Sequence, residues 1–151
     1  MLVKKVKYKD FDGTDVEEVV RLNLTNAELM RLDAKYEADG GFFRHLKKLI
    51  TTHKDGDPFY KPMLDAFETL ILSAYGKKTE DGKFIKKEHG TLLADEFESS
   101  EAYSVLFTEF LQADQAENER FLRAIFPPIS DEDWEKGRDQ VKKEIGKVEV
   151  V

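Results

Sequence analysis

Apolar and polar positions along this chain first alternate and then recur at helical spacing, and that change predicts where β structure gives way to helix. Val3, Val6 and Tyr8 interleave with lysines. Asp10-Phe-Asp-Gly13 supplies turn chemistry, and Val16 to Leu24 resumes a β-rich run through Val19, Val20 and Leu22. This reads as an N-terminal β-hairpin. Alternation fails at Val3 to Val6 and around Val19-Val20, which predicts a bulge or short strands. A lone hairpin also needs a helix to pack against.

Thr25 and Glu28 have the capping-box spacing, so a helix is expected from Asn26 to about Ala38, with Leu29, Leu32 and Tyr36 on one face. Asp39-Gly-Gly41 stops it, because glycine admits left-handed backbone angles. A second helix, Phe42 to about Thr52, presents Phe42, Phe43, Leu46, Leu49 and Ile50, and a polar turn follows at His53 to Asp57. Asp57-Pro58 has the signature of a cap followed by proline at the first helical position, so a long helix is expected from Pro58 to Tyr75. Its stripe, from Phe59 and Met63 through Phe67 and Ile71 to Tyr75, is wide enough for contacts on two sides.

Gly76 to Lys86, with Asp81-Gly82 at its tip, reads as a short middle β-hairpin. A short helix is expected from about His89 to Glu98, burying Leu92, Leu93 and Phe97. Ser99 or Ser100 caps the next, whose stripe is Tyr103, Leu106, Phe107, Phe110 and Leu111. Asp114 with Glu117 opens another that carries Phe121, Leu122, Ile125 and Phe126. Pro127-Pro128 ends it and divides the chain into a domain over residues 1–127 and a C-terminal helical extension over 128–151 that is only loosely docked. That extension holds a last helix, Asp131 to about Ile145, with Trp134, Val141 and Ile145 on one face, and Val148 to Val151 as an edge strand or frayed tail. The fold class is α+β, predominantly α-helical, with an N-terminal β-hairpin, about six helices and a short middle β-hairpin.

Composition narrows the picture. At 151 residues and 40% apolar the chain suits a real core, and eleven Phe, five Tyr and one Trp supply much of its area. Twenty-four basic against 31 acidic residues leave a net charge of −7, which repels phosphate backbones and argues against general nucleic-acid binding. Cysteine is absent, which removes disulfides, thiolate metal sites and cysteine nucleophiles together. The segment from Met1 to Lys7 never reaches the continuous apolar run of a signal peptide or membrane span, so a cytoplasmic protein without membrane association is expected.

Candidate chemistry is sparse. Asp10, Asp12 and Asp15 around Gly13 resemble part of a calcium loop, but the position that should carry the closing acidic ligand is Arg21. His53, Asp55 and Asp57 are explained by turn and cap roles, and His45 and His89 lack zinc spacing. No Gly-rich phosphate loop, nucleophile elbow or His-Glu-x-x-His helix occurs, so neither catalysis nor a cofactor or metal is expected. The sign-biased feature of this acidic chain is the cluster Lys77, Lys78, Lys83, Lys86 and Lys87. It reads either as a solvated hairpin or as a surface that steers an acidic helical partner. The aromatic stripes are mostly core by base expectation, yet their surplus would suit a groove or an oligomer face, with Phe107, Phe110, Phe126 and Trp134 as partner-facing candidates.

Three pieces in order, Ser73-Ala-Tyr-Gly76, then Glu80-Asp-Gly-Lys-Phe-Ile-Lys86, then Phe97-Glu-Ser-Ser-Glu-Ala-Tyr-Ser-Val-Leu-Phe107, resemble the small tail assembly chaperones of long-tailed phages and prophages of Gram-positive bacteria. The resemblance runs from the N-terminal hairpin to Pro127. It implies a protein of the host cytoplasm that binds and solubilises the tape-measure protein, helps recruit tail tube protein, and is not retained in the virion. It also implies a longer form made by ribosomal frameshifting, with which Lys142-Lys143 is compatible. Two other readings stay open on the residues: a structural tail or head-tail component, and an acidic protein-binding or inhibitor module.

Overall fold

The computed structural model describes residues 1–52 and 60–128. Strands β1 (Leu2–Lys9) and β2 (Asp15–Leu22) pair antiparallel without interruption, from Leu2 opposite Leu22 to Lys9 opposite Asp15. The expected bulge is absent. The breaks in alternation arise because Lys4 and Glu18 occupy inward positions, where each has a partner. The Lys4 ammonium pairs with the Glu109 carboxylate and sits 5.0 Å from the Phe121 ring centroid, and the Tyr8 hydroxyl donates to Glu18 at 3.0 Å. Val6 and Val20 point into the core, while Val3 and Val19, on the opposite face, are each 48% exposed. Asp10 closes the turn by accepting from the backbone N–H groups of Asp12 and Thr14 at 2.9 and 2.8 Å.

Helix α1 (Asn26–Lys35) starts on the expected capping box, with both reciprocal hydrogen bonds of Thr25 and Glu28 in place. It ends before Ala38. The chain tightens into a 3-10 turn over Glu37–Asp39 and leaves through Gly40 and Gly41 at φ 82° and 117°. Helix α2 (Phe42–Thr52) buries Phe42, Leu46 and Leu49. Its first N–H is held by the Asp33 carboxylate at 2.8 Å. The expected polar turn and the start at Pro58 lie outside the described residues.

Helix α3 (Lys61–Ala74), with Pro62 in its first turn, buries Phe67, Leu70, Ile71 and Ala74. Tyr75 is not its last residue, as the stripe predicted, but an extended residue that opens β3 (Tyr75–Lys78). Strand β3 pairs with β2, Leu22 opposite Tyr75 and Arg21 opposite Gly76, and with β4 (Phe84–Ile85). The two hairpins therefore form one four-stranded sheet in the order β1-β2-β3-β4. Gly76 is required at this junction: a Cβ there would stand 2.6 Å from the Ile85 carbonyl oxygen and 2.7 Å from the Phe84 ring.

The predicted helix from His89 is shorter than expected. Residues ahead of it form a two-stranded ribbon, β5 (Lys87–Glu88) with β6 (Thr91–Leu92), joined by His89-Gly90 at φ 51° and 78°. Two positive φ angles match the strand twist and make a tight hairpin turn, so helix α4 is confined to Leu93–Glu98. Leu92 is 43% exposed instead of buried. Ser100 then caps α5 (Glu101–Gln112), and Asp114 caps α6 (Gln115–Ile125) through the Glu117 N–H at 2.8 Å. The helix expected from Asp131 and the tail at Val148 to Val151 lie outside the described residues.

Helices α3, α5 and α6 meet the same face of the sheet. One core joins Val6, Val20 and Leu22 of the strands to Leu70, Leu106, Phe110 and Leu122 of the helices. A bond from the Leu24 N–H to the Ile125 carbonyl at 2.8 Å ties the exit of β2 to the end of α6. The fold is α+β and mostly helical, with six α-helices, an N-terminal hairpin and a short middle hairpin among the described residues.

Candidate partner-binding surface

The middle hairpin projects lysines because its turn fixes them. The Thr79 N–H donates to the Lys83 carbonyl at 2.7 Å, the Thr79 hydroxyl accepts from the Lys83 N–H at 3.0 Å, and Gly82 takes φ 84°. Lys77, Lys78, Lys83 and Lys87 are exposed, and Lys83 stands 3.6 Å from Asp81 in a solvated pair.

Lys86 is placed differently. Its ammonium donates to the carbonyls of Asn23 and Ser73, both at 2.7 Å, and meets the Glu28 carboxylate at 2.6 Å. Three partners use all three of its donors and bind α1, α3 and β4 together. Burial pushes its pKa down, and Glu28 only partly restores it. Burial pushes Glu28 up, but bonds from Lys86 and the Thr25 N–H outweigh it, and its pKa falls below the ordinary value. Beside this staple runs an open groove of about 460 Å³, lined by Leu72, Tyr75, Lys87 and Leu92 among others.

The aromatic candidates divide as well. Phe110 and Phe126 are 1% and 3% exposed. Phe110 lies between Phe67 and Phe121, and Phe126 between Phe42 and Phe43. Phe107 is half-buried at the end of a file of rings that begins at the base of the lysine hairpin: Tyr75 stacks on Phe97, Phe97 meets Tyr103, and Tyr103 meets Phe107. Trp134 lies outside the described residues. The stripes that looked surplus in sequence are largely consumed by the core, and the exposed large apolar side chains are Met1, Val3, Phe11, Val19, Met30 and Leu92 among the described residues.

Charge is segregated around this file. Burial, then a hydrogen bond with Glu98, raises the Glu68 carboxyl pKa. Burial, then Glu68 and Glu98, pushes the Tyr103 phenol up to about 12. An acidic pair thus flanks Tyr103. Lys47, fully buried in α2, is a further structural lysine, 3.0 Å from Glu119 of α6. Neither it nor Lys4 was distinguishable from surface lysines in the sequence.

The sequence reading also missed cations on the sheet. Antiparallel partners share a face, so Lys5, Lys7, Lys9 and Arg21 lie on the same outer face as Lys78. The alternation of β1 was a usable signal for three of them, but nothing local placed β3 beside β2. Chemically this surface can attract and orient an acidic chain. Among the described residues no three His, Asp or Glu side chains converge as metal ligands, and no helix is long and apolar enough to cross a membrane.

A family model described as phage tail assembly chaperone matches residues 1–146, which extends past Pro127. No curated protein and no solved structure matches the chain.

Proposed function

Because the chain belongs to the phage tail assembly chaperone family, we propose that it binds the tape-measure protein in the host cytoplasm, keeps it soluble, and helps recruit tail tube protein until polymerisation displaces it. The match over residues 1–146 carries this reading. Its chemistry is supported by the exposed lysines Lys77, Lys78 and Lys83 of the middle hairpin and Lys87 of β5. Such groups steer an acidic partner and raise the rate of encounter without the large apolar burial that makes a complex permanent. Modest affinity suits a protein that must let go. With Phe110 and Phe126 inside the core, initial recognition falls to charge, to the half-buried Phe107 and to the exposed Leu92.

Co-expression with the tape-measure protein tests this directly. The expected result is a soluble, recoverable complex where the partner alone precipitates, and absence of the chaperone from purified virions by mass spectrometry. A partner as insoluble with the chain as without it would refute the reading.

A further inference from the structure

We infer that the outer face of the four-stranded sheet is a docking surface for an acidic polypeptide segment. This inference extends the proposed partner site and rests on that reading only for the partner's identity. In a chain of net charge −7, this face carries five cations, Lys5, Lys7, Lys9, Arg21 and Lys78, against two carboxylates. Both carboxylates are already engaged, Glu17 with Lys5 at 3.9 Å and Asp15 with Lys9 at 3.1 Å. Among the described residues Lys7, Arg21 and Lys78 make no ion pair; Glu17, opposite Lys7 in the register, pairs with Lys5.

Lysines on an edge strand also discourage unwanted strand pairing, and β1 is such an edge. That purpose does not extend to Arg21 and Lys78, which sit on β2 and β3 in the interior of the sheet order. The face is also not uniformly polar: Val3 and Val19 are half-exposed, and the Phe84 ring packs against Gly76. Interleaved cations and apolar side chains fit an acidic amphipathic segment better than a phosphate backbone, which the net charge repels at range. Strand β1, eight residues long, spans roughly 27 Å at the usual rise. That is about the length of a 20-residue helix.

The test uses the full chain and a fluorescein-labelled peptide of about 20 residues, Glu on one helical face and Leu on the other. Fluorescence anisotropy at low salt should show saturable binding that weakens as salt rises. The triple variant Lys7→Gln, Arg21→Gln, Lys78→Gln should bind about tenfold more weakly, whereas Arg31→Gln, Lys35→Gln, Lys61→Gln, of equal charge change, should stay within about twofold. Thermal unfolding confirms that both variants fold, and the single Lys7→Gln serves if the triple variant does not.

No binding by the wild type, equal losses in the two triple variants, or single-stranded DNA bound as tightly as the peptide would each overturn the inference. So would a change of oligomeric state in the sheet variant with peptide binding intact, which would assign the face to a second copy. With the tape-measure protein as partner the two proposals separate. If the wild type and the sheet variant solubilise it equally, the tape-measure protein is not what this face docks, and the function stands. If the wild type fails to solubilise it, the function is wrong and the peptide result alone decides the surface.

Discussion

The two faces of the four-stranded sheet are built from the same strands, yet the lysines of β1 have opposite roles on them. On the inner face, Lys4 is held by Glu109 and lies over Phe121. Lys86, in the connection that follows β4, bridges Asn23, Ser73 and Glu28. On the outer face, Lys5, Lys7 and Lys78 stand in solvent. A period of two along β1 separates Lys4 from Lys5 and Lys7, while Lys86 is set apart by its place after β4 rather than by strand periodicity.

The strongest way to break this comparison is to cut into each face of β2. Leu22→Ala, at a fully buried position, should cost about 2–5 kcal/mol in urea unfolding, while Val19→Ala on the opposite face should cost about 0.5 kcal/mol or less. Equal effects would mean that the faces are not divided as described.

Next in size is the contrast between lysines. Lys86→Met keeps the aliphatic stem but strands the Glu28 carboxylate and two carbonyls, and should cost about 2 kcal/mol; Lys77→Met should stay within about 0.5 kcal/mol. Denaturant midpoints with unchanged slopes would check both. Gly76→Ala should cost about 1–2 kcal/mol, because the new methyl group meets the Phe84 ring and the Ile85 carbonyl. A neutral result would show that β4 moves aside easily and that Phe84 is not fixed over the sheet.

A last effect is absent at neutral pH and appears only in alkali, at the acidic flank of Tyr103. The Tyr103 phenol has its pKa raised to about 12 from the ordinary 10.0, so the folded state disfavours its ionisation. Its contribution to stability is complete below pH 10 and is lost as pH rises from there to about 12. Tyr103→Phe should flatten the alkaline limb of stability against pH, measured by thermal unfolding between those values, and leave the neutral region little changed.

Local features of the chain announced themselves. The Thr25–Glu28 capping box, the Ser100 and Asp114 caps and the Gly40-Gly41 stop depend on atoms a few residues apart, and all stand where the spacing put them. The helical stripes were also legible. What failed was inference from a broken pattern: the mismatch at Lys4 and Glu18 suggested a bulge, whereas each polar group had found a distant or cross-strand partner. Before α4, a hydrophobic pair at Leu92-Leu93 masked the turn that His89-Gly90 makes.

Of the candidate site, the hairpin and the exposure of four of the five clustered lysines were evident from Asp81-Gly82 and its flanks, while the different position of Lys86 was not. Its partners Asn23 and Glu28 lie about sixty residues away, and no local preference distinguishes it from Lys87. Amino-acid order by itself determined the elements, their caps and the basic character of the middle hairpin, because those follow from short-range hydrogen bonding and periodicity. Only the tertiary structure decided that β3 joins β2, that Phe110 and Phe126 are consumed by the core, and that Arg21 and Lys78 share a surface with the lysines of β1. Those outcomes depend on contacts between segments far apart in the chain, whose pairing is chosen by the burial of the whole core.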